Sequence, residues 1–184
     1  MYSAGKYAMK KKIGLFYGST TCYTEMAGEK ICAAIDLILG SGAVTMHNVA
    51  FDSLHLMTDY DYLILGIPTW DYGELQEDWE LHWPQLDELQ LSSKKIALYG
   101  LGDQVGYPDW FQDALGYLWQ KVVHQGAETV GAWPNQGYDF DHSKALNAAG
   151  THFVGLALDD ENQLDISDSF ILLWCRQVVD EFGL

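Results

Sequence analysis

Gly18-Ser19-Thr20-Thr21-Cys22-Tyr23-Thr24-Glu25 follows the apolar run Ile13-Gly14-Leu15-Phe16-Tyr17 and opens an amphipathic helical pattern. Hydroxyl side chains therefore crowd one strand-to-helix turn. A helix N-terminus offers unpaired N–H groups and a partial positive charge. Ser19, Thr20, Thr21 and Thr24 add neutral O–H donors, and the combination suits a phosphate monoester. The turn has no Lys, so it is not a Walker-type loop, and no G-x-G-x-x-G, so it does not match the dinucleotide fingerprint. A phosphate held without a cation narrows the ligand. On this segment alone, an N-cap rich in hydroxyls that binds nothing fits equally well.

Outward from that turn, short apolar runs alternate with helical patterns. Strands are expected at 12–17, 44–48, 62–66, 95–99 and 129–132, with a further apolar run at 153–157. Helices are expected at 24–39, 76–83, 109–125 and 167–182. Their inward stripes are Ala27, Ile31, Ala34, Ile35 and Ile38; Phe111, Ala114, Leu115, Leu118 and Val122; and Ile171, Trp174, Cys175, Val178 and Phe182. Alternating strands and helices give an α/β fold, a parallel sheet covered on both faces. Ligands of such sheets sit outside the carboxyl ends of the strands. The segments after the first, third and fourth strands should converge there. They are the Ser/Thr turn, Pro68-Thr69-Trp70-Asp71-Tyr72-Gly73, and Gly100-Leu101-Gly102-Asp103-Gln104-Val105-Gly106-Tyr107. Trp70 and Tyr107 on two converging loops can sandwich a flat ring. The three glycines of the last loop let its backbone approach that ring.

Composition bounds the function. The chain has 184 residues, 26 acids and 10 bases, for a net charge of −16. That field repels nucleic acid and anionic membranes and favours basic protein partners. Three cysteines (Cys22, Cys32, Cys175) without a C-x-x-C argue for a reducing compartment, hence the cytoplasm, and against a disulfide framework or a zinc site. No run reaches the roughly 18 apolar residues of a membrane span. Residues 1–10 read as a leader or fusion scar, and residues 11–184 as one domain. The six histidines lack metal spacing and read as surface residues, while Trp79, Trp119 and Trp174 read as core.

The motifs GLFYGSTTCYTE (14–25), ILGIPTWDYGELQEDWE (64–80) and YGLGDQVGYPDWFQDALG (99–116) resemble the phosphate loop and the two aromatic loops of flavodoxins. VGAWPNQGYDFDHSKAL (130–146) and FVGLALDDENQ (153–163) resemble the insertion and closing loop of the long-chain members. The Cys22-Tyr23 pair is similar to the second-flavodoxin branch. The resemblance implies a flavodoxin-like three-layer sandwich, with a five-stranded parallel sheet of order 2-1-3-4-5 whose fifth strand the insertion interrupts. It implies non-covalent flavin mononucleotide (FMN), with phosphate at Ser19, Thr20, Thr21, Cys22 (through its N–H), Tyr23 and Thr24. Thr69, beside Pro68, would reach the ribityl chain, as would an acid of Asp159-Asp160-Glu161, with Glu161 the favoured one. Trp70 and Tyr107 would cover the ring faces. Asp71, Tyr72 and Gly73 would lie beside N5, and Leu101, Gly102 and Asp103 at the pyrimidine edge.

The same resemblance implies a monomeric low-potential one-electron carrier that docks on basic-faced redox proteins such as a ferredoxin/flavodoxin NADP reductase. The alternative is an FMN-dependent NAD(P)H quinone or nitro reductase of the same fold. Occupation of both ring faces by Trp70 and Tyr107 argues against it, because hydride transfer needs a second pocket over the flavin. Asp103, the protein field and the lack of a cation should make the second reduction potential strongly negative. The turn at Asp71-Tyr72 has no central glycine, so a rearrangement to positive φ beside N5 should be strained.

Overall fold

The computed structural model describes residues 12–184; the leader expected at residues 1–10 lies outside them. The chain runs through β1 (Ile13–Tyr17), α1 (Tyr23–Leu39), β2 (Val44–Asn48), β3 (Tyr62–Trp70), β4 (Glu74–Leu75), α2 (Glu77–His82) and β5 (Lys95–Leu101). It continues through α3 (Asp113–His124), β6 (Glu128–Val130), β7 (Trp133–Pro134), β8 (His152–Phe153), β9 (Leu156–Leu158) and α4 (Leu164–Phe182). β1 is buried along its whole length and β5 along all but its first residue. Such two-faced burial is what a central parallel strand requires and what their unbroken apolar sequence supplies.

The parallel ladder runs β2-β1-β3-β5, and its last place is shared. Lys95, Ile96 and Ala97 of β5 pair with Glu128, Thr129 and Val130 of β6. Tyr99, Gly100 and Leu101 pair with Leu156, Ala157 and Leu158 of β9. The fifth strand is thus two pieces, with the insertion looping out between them, as the family pattern implies.

Neighbouring residues of β5 point to opposite faces. Tyr99 faces α1, where its hydroxyl donates to the Thr24 carbonyl at 2.9 Å. The Gly100 Cα faces α3, against Gln112 and Leu115. α1 packs with α4, and α3 packs over β3 and β5. The fully buried Tyr99 ring fits only because Gly28 of α1 and Gly66 of β3 carry no Cβ; one added at either position would overlap it.

Several boundaries differ from the sequence reading. β3 does not stop at Gly66 but runs to Trp70, because Thr69 and Trp70 pair antiparallel with Leu75 and Glu74. The expected loop 68–73 is therefore a strand end and a tight hairpin turn. α3 begins at Asp113 rather than Asp109: Pro108–Trp110 forms a separate 3-10 turn, and Gln112 then sits at φ +64. Ile38, expected inside, is 45% exposed in the last turn of α1. Trp119 is half-buried and donates to Thr129 Oγ1 at 3.1 Å. His47 is no free surface histidine: it stacks on Phe16, and its ring nitrogens lie 3.0 Å from Asp52 and 2.8 Å from Tyr60. Trp79 and Trp174 are fully buried, as expected.

Candidate functional site

The carboxyl ends of β1, β3 and β5 converge, and the segments that follow them line one cleft of ≈ 750 Å³, counting its open mouth. From the first segment come Thr21, Tyr23 and Thr24; from the second, Pro68, Thr69, Trp70 and Asp71. Leu101, Gly102, Asp103 and Tyr107 come from the third, and the chain after β9 adds Asp160 and Glu161. A larger groove beside Glu80, Trp83 and Lys121 shares only Gly73 with these loops, so size does not locate the chemistry.

The rest of the expected site lies around this cleft. Thr20 and Cys22 are exposed on the first turn, beside rather than in the lining. Tyr72 is 69% exposed and meets Tyr107 and Trp110 edge-on, at 6.5 and 5.0 Å between ring centroids. Gly73 closes the hairpin, its N–H donating to the Trp70 carbonyl at 3.1 Å, and its Cα faces Asp113 and Trp110.

The first turn is built to receive an anion. α1 begins at Cys22, in the left-handed region at φ +68, and no side chain caps it. Its opening N–H groups are therefore available at the positive end of the helix. Ser19 Oγ is buried and has no hydrogen-bond partner among the described residues; the same holds for Trp70 Nε1. A buried hydroxyl left unpaired costs about 1–3 kcal/mol; Ser19 lies beside the lining rather than in it, with its Oγ free to accept from or donate to a ligand oxygen. Among the described residues no Lys, Arg or His lines the cleft, whereas Asp71, Asp103, Asp160 and Glu161 do. The donors this turn presents are neutral, and the charged groups of the lining are acids.

Supports that the sequence reading missed hold these loops. Gln76 is buried; its Nε2 donates to Thr20 Oγ1 at 3.2 Å while its Oε1 accepts from the Trp79 N–H. Thr69 Oγ1, expected to reach a ligand, accepts from the Ala114 N–H at 3.1 Å. Gln112 Nε2 bridges the carbonyls of Gly100 and Leu158, clamping the ends of β5 and β9. Asp160 lines the cleft beside Glu161, while Asp159 turns away from it into the protein. Polar residues of this kind carry no periodic signal, and only the fold reveals their partners.

With the cleft described, the comparisons place the chain. The family model for flavodoxin matches residues 15–171, and the chain belongs to the flavodoxin family. Flavodoxin 2 of Escherichia coli (strain K12) is 57% identical over 171 residues, covering 93% of this chain and 96% of that protein. A flavodoxin of Nostoc sp. (strain PCC 7120) is 48% identical over 176 residues, covering 96% of this chain and all of its own length. Among solved structures, Fusobacterium nucleatum flavodoxin bound to flavin mononucleotide superimposes with a TM-score of 0.84 at 29% identity. It covers 93% of this chain and 98% of that one.

Asp103 gives the cleft a pH dependence. Burial raises its pKa, but N–H bonds from Gly106, the Asn162 amide and Val105 outweigh that and hold it below the ordinary 3.8. A depressed folded-state value adds stability that is present above the unfolded pKa and is lost as pH falls through the folded one. Asp103→Asn should therefore be less stable than the parent at neutral pH, and the gap should close on acidification below about pH 4. Urea unfolding midpoints from pH 7 to 3 check this. A gap that stays constant across the range would show that the carboxylate charge is not what the loop bonds use.

Proposed function

We infer that this chain is a one-electron carrier that holds FMN non-covalently in the cleft between its three loops. It is an electron-transfer protein, not an enzyme. When bound, FMN supplies the redox chemistry, and the protein sets potential and access. The observation that carries the reading is the buried, unpartnered Ser19 hydroxyl in a lysine-free turn at the start of α1. Ser19, Thr20, Thr21, Tyr23, Thr24 and the Cys22 N–H take the phosphate. Trp70 and Tyr107 form the walls, Leu101, Gly102 and Asp103 meet the pyrimidine edge, and Glu161 approaches the ribityl chain. With both faces covered, no pocket remains for a nicotinamide, so the reductase alternative is not favoured. Four acids and no cation in the lining disfavour added negative charge, which drives the second potential down.

Partners follow from the surface. Tyr72, Val105 and Tyr107 are exposed at the cleft mouth among its acids, in a protein of net charge −16. This mouth suits a basic-faced reductase, approached by a monomer in a reducing cytoplasm. Cys22, Cys32 and Cys175 are all free thiols. Among the described residues no helix is long and apolar enough to cross a membrane. Residues 11–184 act as one domain.

The cofactor test is direct. The purified protein should show a flavin absorption spectrum and bind FMN far more tightly than riboflavin, which lacks the phosphate. Ser19→Ala should narrow that preference. Equal affinity for the two flavins would remove the phosphate turn from the site.

Asp71 offers a second test. It already stands at φ +41, in a turn whose rearrangement is expected to accompany the first electron. Glycine adopts positive φ without a Cβ penalty, and asparagine tolerates it somewhat better than most residues. Asp71→Gly should raise the first potential more than Asp71→Asn, which removes the charge alone. Equal shifts in a spectroelectrochemical titration would assign the whole effect to charge. For docking, stopped-flow rates with a basic reductase should fall steeply between low and physiological salt, as steering charges are screened within about a Debye length. A flat rate would speak against electrostatic docking.

A further inference from the structure

The loop Gly102–Tyr107, which carries one proposed flavin wall, has little apolar support of its own. Val105 is 66% exposed, and the loop contains two glycines. What orders it is a chain of polar contacts that begins at Asp159, the first residue after β9. Asp159 is 1% exposed. Its Oδ2 accepts from the Gln104 backbone N–H at 3.0 Å and from Gln104 Nε2 at 2.8 Å. Its Oδ1 accepts from the Asn162 backbone N–H at 3.1 Å, and Asn162 Nδ2 lies 3.0 and 2.9 Å from the two oxygens. Among the described residues no ion pair involves Asp159.

From there the chain reaches the cleft. Asn162 Nδ2 also donates to Asp103 Oδ1 at 2.8 Å, and that oxygen accepts from Val105 and Gly106 at 3.0 and 2.7 Å. The Tyr107 N–H donates to the Asp103 carbonyl at 3.0 Å. Gln104, pinned by Asp159, uses its own Oε1 to accept from the Asp139 N–H of the insertion at 2.6 Å. One buried carboxylate therefore ties the loop to the strand end behind it and, through Gln104, to the insertion.

We propose that Asp159 is a positioning residue for electron transfer: its buried carboxylate fixes the Gly102–Tyr107 loop against the flavin and sets a carboxylate behind the ring's pyrimidine edge. The proposal rests on the FMN reading above. The neighbouring acids Asp160 and Glu161 line the cleft, whereas Asp159 lies outside that lining and acts through Gln104, Asn162 and Asp103. Such a carboxylate, unneutralised in a low-dielectric site, opposes further negative charge nearby.

Two variants separate place from charge. Asp159→Asn replaces one acceptor oxygen by an NH₂ that confronts the same N–H donors, and removes the charge. Asn162→Ala cuts the bridge to Asp103 and leaves the charge. Both should speed amide exchange across 102–107 in the FMN-free protein and weaken FMN binding about tenfold, the scale of one lost charged hydrogen bond. Only Asp159→Asn should also raise the second potential clearly above that of Asn162→Ala. A merely structural role would not move that difference. FMN affinity within twofold of the parent and unchanged exchange in both variants would overturn the proposal, as would equal second potentials for the role of charge. If Asp159→Asn does not fold, Asn162→Ala and Gln104→Ala decide by the same exchange and affinity measurements. A parent protein that fails to bind FMN would instead overturn the cofactor reading, and the exchange data, which need no flavin, would still judge the loop.

Discussion

The Tyr99 side chain is the contact from which the rest of the site is laid out. Its ring fills the space left by Gly28 and Gly66, and its hydroxyl holds the Thr24 carbonyl at 2.9 Å. One residue of β5 thereby sets the height of the first turn of α1 above β3. Burial and the nearby Cys32, Tyr17 and Glu25 push its pKa well above the phenol range, so it remains a neutral donor to that carbonyl. A helix start placed in this way delivers its unpaired N–H groups to the strand ends, where the hydroxyls of the same turn also lie. Tyr17, the last residue of β1, reinforces the placement by donating to Glu25 at 2.6 Å.

On that frame the protein solves an electrostatic problem without cations. An anionic phosphate must enter a protein of net charge −16. In the proposed reading neutral donors and a helix terminus receive it, while Asp71, Asp103, Asp160 and Glu161 of the lining oppose further negative charge on the flavin. The backbone bears part of the cost. The non-glycine residues at positive φ among those described are Cys22, Asp71 and Gln112, at +68, +41 and +64. Cys22 lies in the phosphate turn, Asp71 in the hairpin turn after β3, and Gln112 behind the loop after β5. Strain of order 1–3 kcal/mol per residue persists only where its surroundings enforce it, and each case lies in or behind a segment that follows a central strand.

Much of this was legible in the amino-acid order. Apolar runs located every strand of the parallel ladder but not the short antiparallel β4, and the three loops that converge were those whose residue types were least like ordinary turns. Other features escaped for physical reasons. Thr69 and Trp70 are polar and aromatic residues beside a proline, and only pairing with Glu74 and Leu75 makes them strand. The start of α3 is set by Gln112, whose side chain prefers two carbonyls at the sheet edge to a place in the helix. Asp159, Asp160 and Glu161 look interchangeable in a list of letters. Their separation into one buried anchor and two cleft acids depends on where β9 ends.

The divided fifth strand also says something about how such a chain can change. β6 pairs with β5 as far as Ala97, and β9 resumes at Tyr99, so a single β5 residue, Leu98, separates the two pieces. Gly155 stands against the Leu98 carbonyl, closer than any side chain would allow. In space the outer strand is therefore nearly continuous from Glu128 to Leu158, and the insertion leaves and re-enters at one point. An excursion whose two ends are neighbours can change length without altering the pairing of the five-stranded ladder. Its sequence is bound more tightly, by the contacts it makes with Gln104, Pro108 and Asp113 and by Ala145 and Phe153, which it buries in the core.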